Sequence, residues 1–338
     1  MQTPNRDLFV TDATRAQYKI IEPLLTSEHL DAVFMKHEKA ANSAKRRYHK
    51  LGQIAIILIT ISAIFTIAEA LVLEGIFTNV VFTFTAAIMV GIGIILQGYL
   101  IITRQKTKWL LNRFATERLR SLRFQAFYFA QTAKNETALR EQVDVFLRKK
   151  IAHLENELNA GLTILQNFRP DGVLDENPHL KSAANPRMAE LAREAYLELR
   201  VNYQRNFALS EITRFTGRRR ILTSTQDMIY FGAAVFAFLS LGGKIINSAG
   251  FGIDTAWIDF LAVTLFILGA TEAIMDNATL EEQSQSRFEQ YVRDIDALVN
   301  SSDGKTSTFT PLLMGMERIC LDELDLFCRA ANRISYRF

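Results

Sequence analysis

This chain has little of the material that covalent or metal chemistry needs. Its only cysteines are Cys320 and Cys328. In a helix they stand about 12 Å apart along the axis, too far for a disulfide with each other, so they read as packing residues in a reducing compartment. The five histidines, at 29, 37, 49, 153 and 179, are scattered and form no metal-ligand spacing. Phosphate-cradling glycine loops, HExxH helices and nucleophile elbows are missing as well. Gly91 and Gly93 sit inside a hydrophobic run and cannot serve as a nucleotide loop. No enzymatic activity, cofactor or metal is therefore expected. The first 50 residues are polar and lack an apolar core of signal-peptide type, which leaves the first hydrophobic run to act as its own insertion signal.

Charge is also missing from two long stretches. Leu51 to Leu73 carries one ionisable residue, Glu69, and Val80 to Thr103 carries none. A bilayer core needs roughly 20 apolar helical residues, so each run can cross it. The link Glu74 to Asn79 is short enough to make them a hairpin. Although the net charge is only +3, Lys45, Arg46, Arg47 and Lys50 precede the first run, and Arg104, Lys106, Lys108 and Arg113 follow the second. The loop between has no Lys or Arg, which places both ends of the hairpin in the cytoplasm by the positive-inside rule.

Outside these runs the pattern is helical. Ile20, Ile21, Leu24, Leu30, Val33 and Phe34 form an apolar stripe, interrupted at Pro23, and Thr26-Ser27-Glu28 suggests a new N-cap. The helix it opens should run straight into the membrane. After the second run, Leu110, Phe114, Leu119, Leu122, Phe127 and Phe129 keep helical spacing, so that span should continue as a long helix. A further helix, about Glu136 to Asn167, carries a nearly heptad-spaced stripe from Leu139 to Leu165 that favours antiparallel coiled-coil packing. Three prolines and a glycine in residues 169–186 mark the best internal boundary. Beyond it a helix from about Arg187 to Arg220 ends in another basic cluster, Arg218, Arg219 and Arg220. Apolar runs follow at Met228 to Gly243 and Trp257 to Met275, the latter including Asp259 and Glu272. Helix, basic junction, hairpin and helix thus occur twice in the same order. Two copies in the same orientation are unlike the inverted repeats of transporters.

The segment ANSAKRRYHK before the first run, with Trp109, Arg113, Ala115, Glu117, Leu119, Arg123 and Phe124 in WLLNRFATERLRSLRF after the second, resembles the SLATT family of prokaryotic two-span effector domains. The resemblance covers about residues 35–165, and about 190–300 as a diverged second copy whose exit lacks the Trp. It implies a membrane effector of bacterial antiphage or conflict systems that permeabilises the inner membrane when a partner senses infection.

Several residues are candidates for function, each with a plainer alternative. Glu69, flanked by Thr60, Ser62 and Thr66, can line or gate a pore, or lie close enough to the outer interface to be hydrated. Gln97 can hydrogen-bond across helices or meet the interface. Glu272 holds a similar place at the end of an apolar stretch, nearer the cytoplasm. Ala87 with Gly91, and Ala233 with Ala237, have the spacing that lets helices approach closely, in an oligomer or within one hairpin. Lys45, Arg46, Arg47, Arg113, Arg218, Arg219 and Arg220 can bind an anionic ligand, or set topology and attract anionic lipid. Trp109, Arg113 and Glu117, at successive i, i+4 positions, can stiffen the exit helix.

The expected fold class is an all-α membrane protein with two transmembrane hairpins and long cytoplasmic coiled-coil-like helices. Residues 1–168 would form the first part, with its hairpin at about 51–103. A linker would occupy 169–186, and residues 187–338 would form the second part, with its hairpin at about 228–275. The expected function is an oligomeric pore-forming or membrane-disrupting effector of the bacterial inner membrane, multi-pass with both termini cytoplasmic. A sensor protein or nucleotide second messenger would gate it, and nucleic acid is not an expected partner. The alternatives are a regulated housekeeping ion channel and a membrane-anchored coiled-coil scaffold.

Overall fold

The computed structural model describes residues 5–72, 79–159, 161, 183–248, 254–279, 281–303 and 309–333. All regular structure among them is helical, and four helices are long and apolar enough to cross a membrane. The chain is an all-α membrane protein.

Local chemistry sets the helix starts. Helix α1 (Asp12–Gln17) opens where the Thr11 side chain accepts from the Thr14 amide. A 3-10 turn, Lys19–Ile21, leads into α2 (Glu22–Leu25), which carries Pro23 in its first turn, where no amide hydrogen is needed. Thr26 is extended, and Ser27 Oγ accepts from the Leu30 amide at 3.4 Å, so the break and the new cap fall where the sequence suggests. From there α3 (Glu28–Leu71) runs 44 residues without interruption. At 1.5 Å per residue it is about twice as long as a hydrocarbon core, so only its apolar C-terminal half can lie in lipid.

Helix α4 (Asn79–Ile102) does not continue into the next helix, contrary to the sequence expectation. Arg104 adopts a left-handed conformation, φ 50°, and its amide bonds to the Ile101 carbonyl at 3.2 Å. A left-handed residue satisfies the last carbonyls and ends a helix; with no Gly or Pro at this point, the sequence carries no sign of it. Helix α5 (Gln105–Gln125) then restarts the chain, followed by a 3-10 turn (Ala126–Tyr128) and α6 (Phe129–Thr132). The Asn135 side chain caps α7 (Glu136–Leu158), which buries Leu139, Val143, Leu147, Ile151 and Leu154 and packs on α2 and α6. The remainder of the expected stripe, and the 169–182 part of the linker, lie outside the described residues.

Asn185 caps α8 (Pro186–Tyr196). The chain then winds through a π-helical segment, Leu197–Asn202, into α9 (Tyr203–Ser248) without a break. Helices α10 (Ala256–Thr279), α11 (Glu281–Asp303) and α12 (Phe309–Arg333) complete the chain. Helix lengths run in parallel in the two halves of the chain. Helices α3, α4 and α5 have 44, 24 and 21 residues, and α9, α10 and α11 have 46, 24 and 23.

The chain divides into two compact units. The first comprises Met1–Ser43, Thr107–Arg214 and Glu282–Arg333, and the second Ala44–Lys106, Phe215–Glu281 and Ile334–Phe338. This division follows the passages between polar and apolar helix rather than the proline-rich boundary. Apolar segments pack with apolar segments, whichever copy they come from. In the first unit the core is aromatic: Tyr196 meets Phe124, Phe127 and Phe309 edge-on at 5.9, 5.7 and 5.3 Å between ring centres. In the second, only 11–22% of each spanning window is buried, so most of its apolar surface points away from the chain.

Candidate functional site

The hairpin helices of the second unit are joined by hydroxyls. Thr60 Oγ1 on α3 lies 2.8 Å from Thr271 Oγ1 on α10. Thr271 spends its own hydrogen on the Ile267 carbonyl at 2.8 Å, so Thr60 is the donor. Ser62 Oγ donates to the Ala86 carbonyl at 2.8 Å, tying α3 to α4. Both Thr60 and Ser62 are buried and committed to neighbouring helices. Thr66 is exposed and donates back to the Ser62 carbonyl. Glu69, half-buried near the end of α3, accepts from Thr83 Oγ1 at 2.6 Å.

Among the described residues of these spans, three buried side-chain atoms have no hydrogen-bond partner: Gln97 Nε2, Thr264 Oγ1 and Glu272 Oε2. Their situation contrasts with that of Asp259. Its carboxylate receives Lys244 Nζ at 2.9 Å and is hydrogen-bonded by Ser240, so the Asp259 charge in the fourth apolar run is paired with a cation.

The small residues separate by neighbourhood. A Cβ built on Gly93 would come within 2.7 Å of Ile59 Cγ1 and 3.1 Å of the Ala55 carbonyl, so Gly93 sets the approach of α3 and α4. A Cβ on Gly91 would meet nothing within 4 Å, and Ala87 is exposed. On α9, Ala233 is buried and Ala237 exposed. Lys45, Arg46 and Arg47 are exposed on α3, whereas the side chains of Arg218, Arg219 and Arg220 lie outside the described residues.

The first unit holds a network of charges within its core, centred on α5 and α12. Arg200 Nε and Nη2 bond both oxygens of Glu317 at 2.8 and 2.9 Å, with side chains 2% and 0% exposed. The Tyr196 hydroxyl donates to Glu317 at 3.1 Å, and the Arg200 guanidinium lies 4.8 Å from the centre of the Phe124 ring. Arg120 bonds both oxygens of Glu117 at 3.0 Å and reaches Asn5. Its Nε is 3.1 Å from Asp7 Oδ2, but off hydrogen-bond geometry, so neither Asp7 oxygen is hydrogen-bonded. Arg113 pairs with Glu117 at 2.6 Å. Arg123 donates to the Leu8 and Leu25 carbonyls at 2.9 and 2.7 Å and pairs with Asp31.

Burial pushes the Asp7 carboxyl above its usual pKa, and Arg120 and Arg200 offset only part of that. Burial acts the same way on Glu117, but Arg113, Arg120 and Arg200 outweigh it and hold that carboxyl low. The Cys320 thiol, 3.1 Å from the Tyr291 hydroxyl, is pushed up to about 12 by burial. It stays protonated at neutral pH and is a poor nucleophile.

Of the residues that carry the resemblance, the seven from α5 lie in this unit, whereas most of ANSAKRRYHK, from Ala44 on, belongs to the second. Trp109 is buried edge-on to Phe327 at 6.1 Å; Ala115, Leu119, Arg123 and Phe124 are also buried, and Arg113 and Glu117 form the ion pair expected from their spacing. Arg120, Arg200, Glu317 and Asp7 were not singled out from sequence. A signal exists for two of them. Arg200 falls one turn after Tyr196 on the face of Ala192 and Leu199, and Glu317 sits midway between Leu313 and Leu321. A charge in the middle of an apolar stripe points to a buried partner. Comparison with protein-family models, curated proteins and solved structures finds no match.

Proposed function

We propose that this chain is an oligomeric membrane effector that opens a pore in, or disrupts, the bacterial inner membrane. A partner or ligand acting on the helices of the first unit gates it. One observation carries the reading: Gln97 Nε2, Thr264 Oγ1 and Glu272 Oε2 have no hydrogen-bond partner in one chain. In lipid such groups are costly, and they call for water or a second copy. The open flank at Ala87 and Gly91 supports close helix approach between copies. The likeness to SLATT domains supports an antiphage role, and the two basic flanks support cytoplasmic termini. A sensor protein or a nucleotide second messenger is the proposed trigger.

A membrane-anchored scaffold is the second reading. It is favoured by Thr60 and Ser62, whose hydroxyls tie helices together. Ion flux through liposomes containing the purified chain, with oligomer mass measured in the same preparation, separates the two. The effector predicts unselective flux from a defined oligomer, altered by Glu272→Gln or Glu69→Gln. No flux with the partner present supports the scaffold, and a current restricted to one ion class supports a regulated channel.

A further inference from the structure

Between helices α3 and α4 lies an open, shallow cavity of about 460 Å³, lined by Arg46, Arg47, Lys50, Leu51, Leu96 and Tyr99. The spacing explains the lining. On α3, Arg46 with Lys50 and Arg47 with Leu51 are i, i+4 pairs, which makes two adjacent ridges of one face. On α4, Leu96 and Tyr99 are an i, i+3 pair facing them. Three of the six lining residues are cations, and none is acidic. Leu51 begins the apolar run of α3, while Leu96 and Tyr99 belong to the last turns of α4. The cavity therefore stands at the level where the spans pass from hydrocarbon to polar surroundings.

We propose that this cavity binds the phosphate headgroup of an anionic phospholipid. Two guanidinium groups can each engage phosphate oxygens through paired hydrogen bonds, and Lys50 adds a point charge. Tyr99 presents an apolar ring and a polar tip, the combination suited to the headgroup layer. Leu51 and Leu96 offer the glycerol and the start of an acyl chain an apolar wall, which a free inorganic anion would not use. Basic pockets between spans are where such headgroups lodge. The inference is independent of the pore reading, since a protein without conductance would hold the lipid equally well.

The test is native mass spectrometry of the full chain in detergent with added phosphatidylglycerol, phosphatidylcholine or inorganic phosphate. Phosphatidylglycerol should be retained over phosphatidylcholine by about tenfold or more, as three cations at an anionic headgroup imply. Arg46→Gln/Arg47→Gln/Lys50→Gln should abolish that preference. Arg104→Gln/Lys108→Gln, which removes as many as two cations from the other flank, should keep it. Leu96→Trp fills the cavity while leaving all three cations and should also lose the lipid; this arm stands if the triple variant does not fold. Wild-type retention in Leu96→Trp, equal retention of both lipids, or displacement of the lipid by millimolar phosphate would each overturn the proposal.

Discussion

At the scale of single residues, the most consequential feature is Arg200 locked onto Glu317 with both side chains out of solvent. A buried pair recovers its desolvation only while both partners remain. Glu317→Gln or Arg200→Met alone leaves an unpaired buried charge and should lower stability by about 3–5 kcal/mol. The double replacement Arg200→Met/Glu317→Leu should recover part of that loss: no charge is left unpaired, but the Tyr196 hydroxyl, deprived of Glu317, keeps only the Leu313 carbonyl at 3.4 Å. Denaturant unfolding of the three variants in detergent decides this; additive losses in the double variant would mean that the two residues do not act as a pair.

Asp7 and Glu117 give opposite pH signatures. The folded-state pKa of Asp7 is raised, so in the window above 3.8 the folded chain holds a proton that the unfolded chain has released. Stability then falls as pH rises through that window. Asp7→Asn removes the penalty, and its unfolding midpoint should gain on wild type as pH goes from acid to neutral. Glu117 is depressed, so its contribution is present above its ordinary pKa and lost as pH falls. Glu117→Gln should cost stability at neutral pH and converge on wild type in acid. Parallel pH profiles for the two variants would refute the assignment. The pairing of Glu117 with Arg113 follows from their spacing in sequence, but the place of Asp7 does not: it sits in a polar stretch without periodicity, and its surroundings come from α5 and the π-helical segment nearly 200 positions on.

At the scale of elements, helix existence follows from composition, and several boundaries follow from caps. Ser27, Asn135 and Asn185 each stand one residue before a helix they cap. The break at Arg104 and the π-helical winding at Leu197–Asn202 have no such markers: neither a Gly, a Pro nor a capping side chain stands at them. The glycines make a sharper case. Gly91 and Gly93 look equivalent in the string GIGI, yet only Gly93 faces α3. Gly93→Ala forces Ile59 to move and should destabilise the hairpin by about 1–3 kcal/mol. Gly91→Ala meets open space and should be neutral or stabilising by up to about 1 kcal/mol, since alanine is the better helix former. Under the oligomer reading, Gly91→Leu should leave the monomer folded and reduce the oligomer mass. Thermal unfolding and light scattering on the same samples read the two effects separately, and loss of folding in Gly91→Leu would place a neighbour where none is seen.

At the scale of the whole molecule, the repeated order of helices has consequences for topology. Each half passes through a long helix, a hairpin partner of 24 residues and a polar helix, in the same order. If both hairpins span, the link at Glu74 and the one at Asp254 emerge on the same side, and α7 and α11 lie opposite. Cysteine labelling can test this because the native background should be quiet. Cys328 is buried, Cys320 partly so, and burial pushes both thiols up to about 12, far from the thiolate that maleimides attack. In intact cells an impermeant maleimide should label Glu74→Cys and Asp254→Cys and spare Arg140→Cys and Arg293→Cys, with the pattern becoming uniform on permeabilisation. Lys244 and Asp259 bear on the same question: paired, their charges offset each other within the second hairpin. Labelling at Glu74→Cys but not at Asp254→Cys would mean that α9 and α10 do not cross. The polar contact from Thr60 to Thr271 would then join a spanning helix to a non-spanning one, and a pore built from both hairpins of each chain would be untenable.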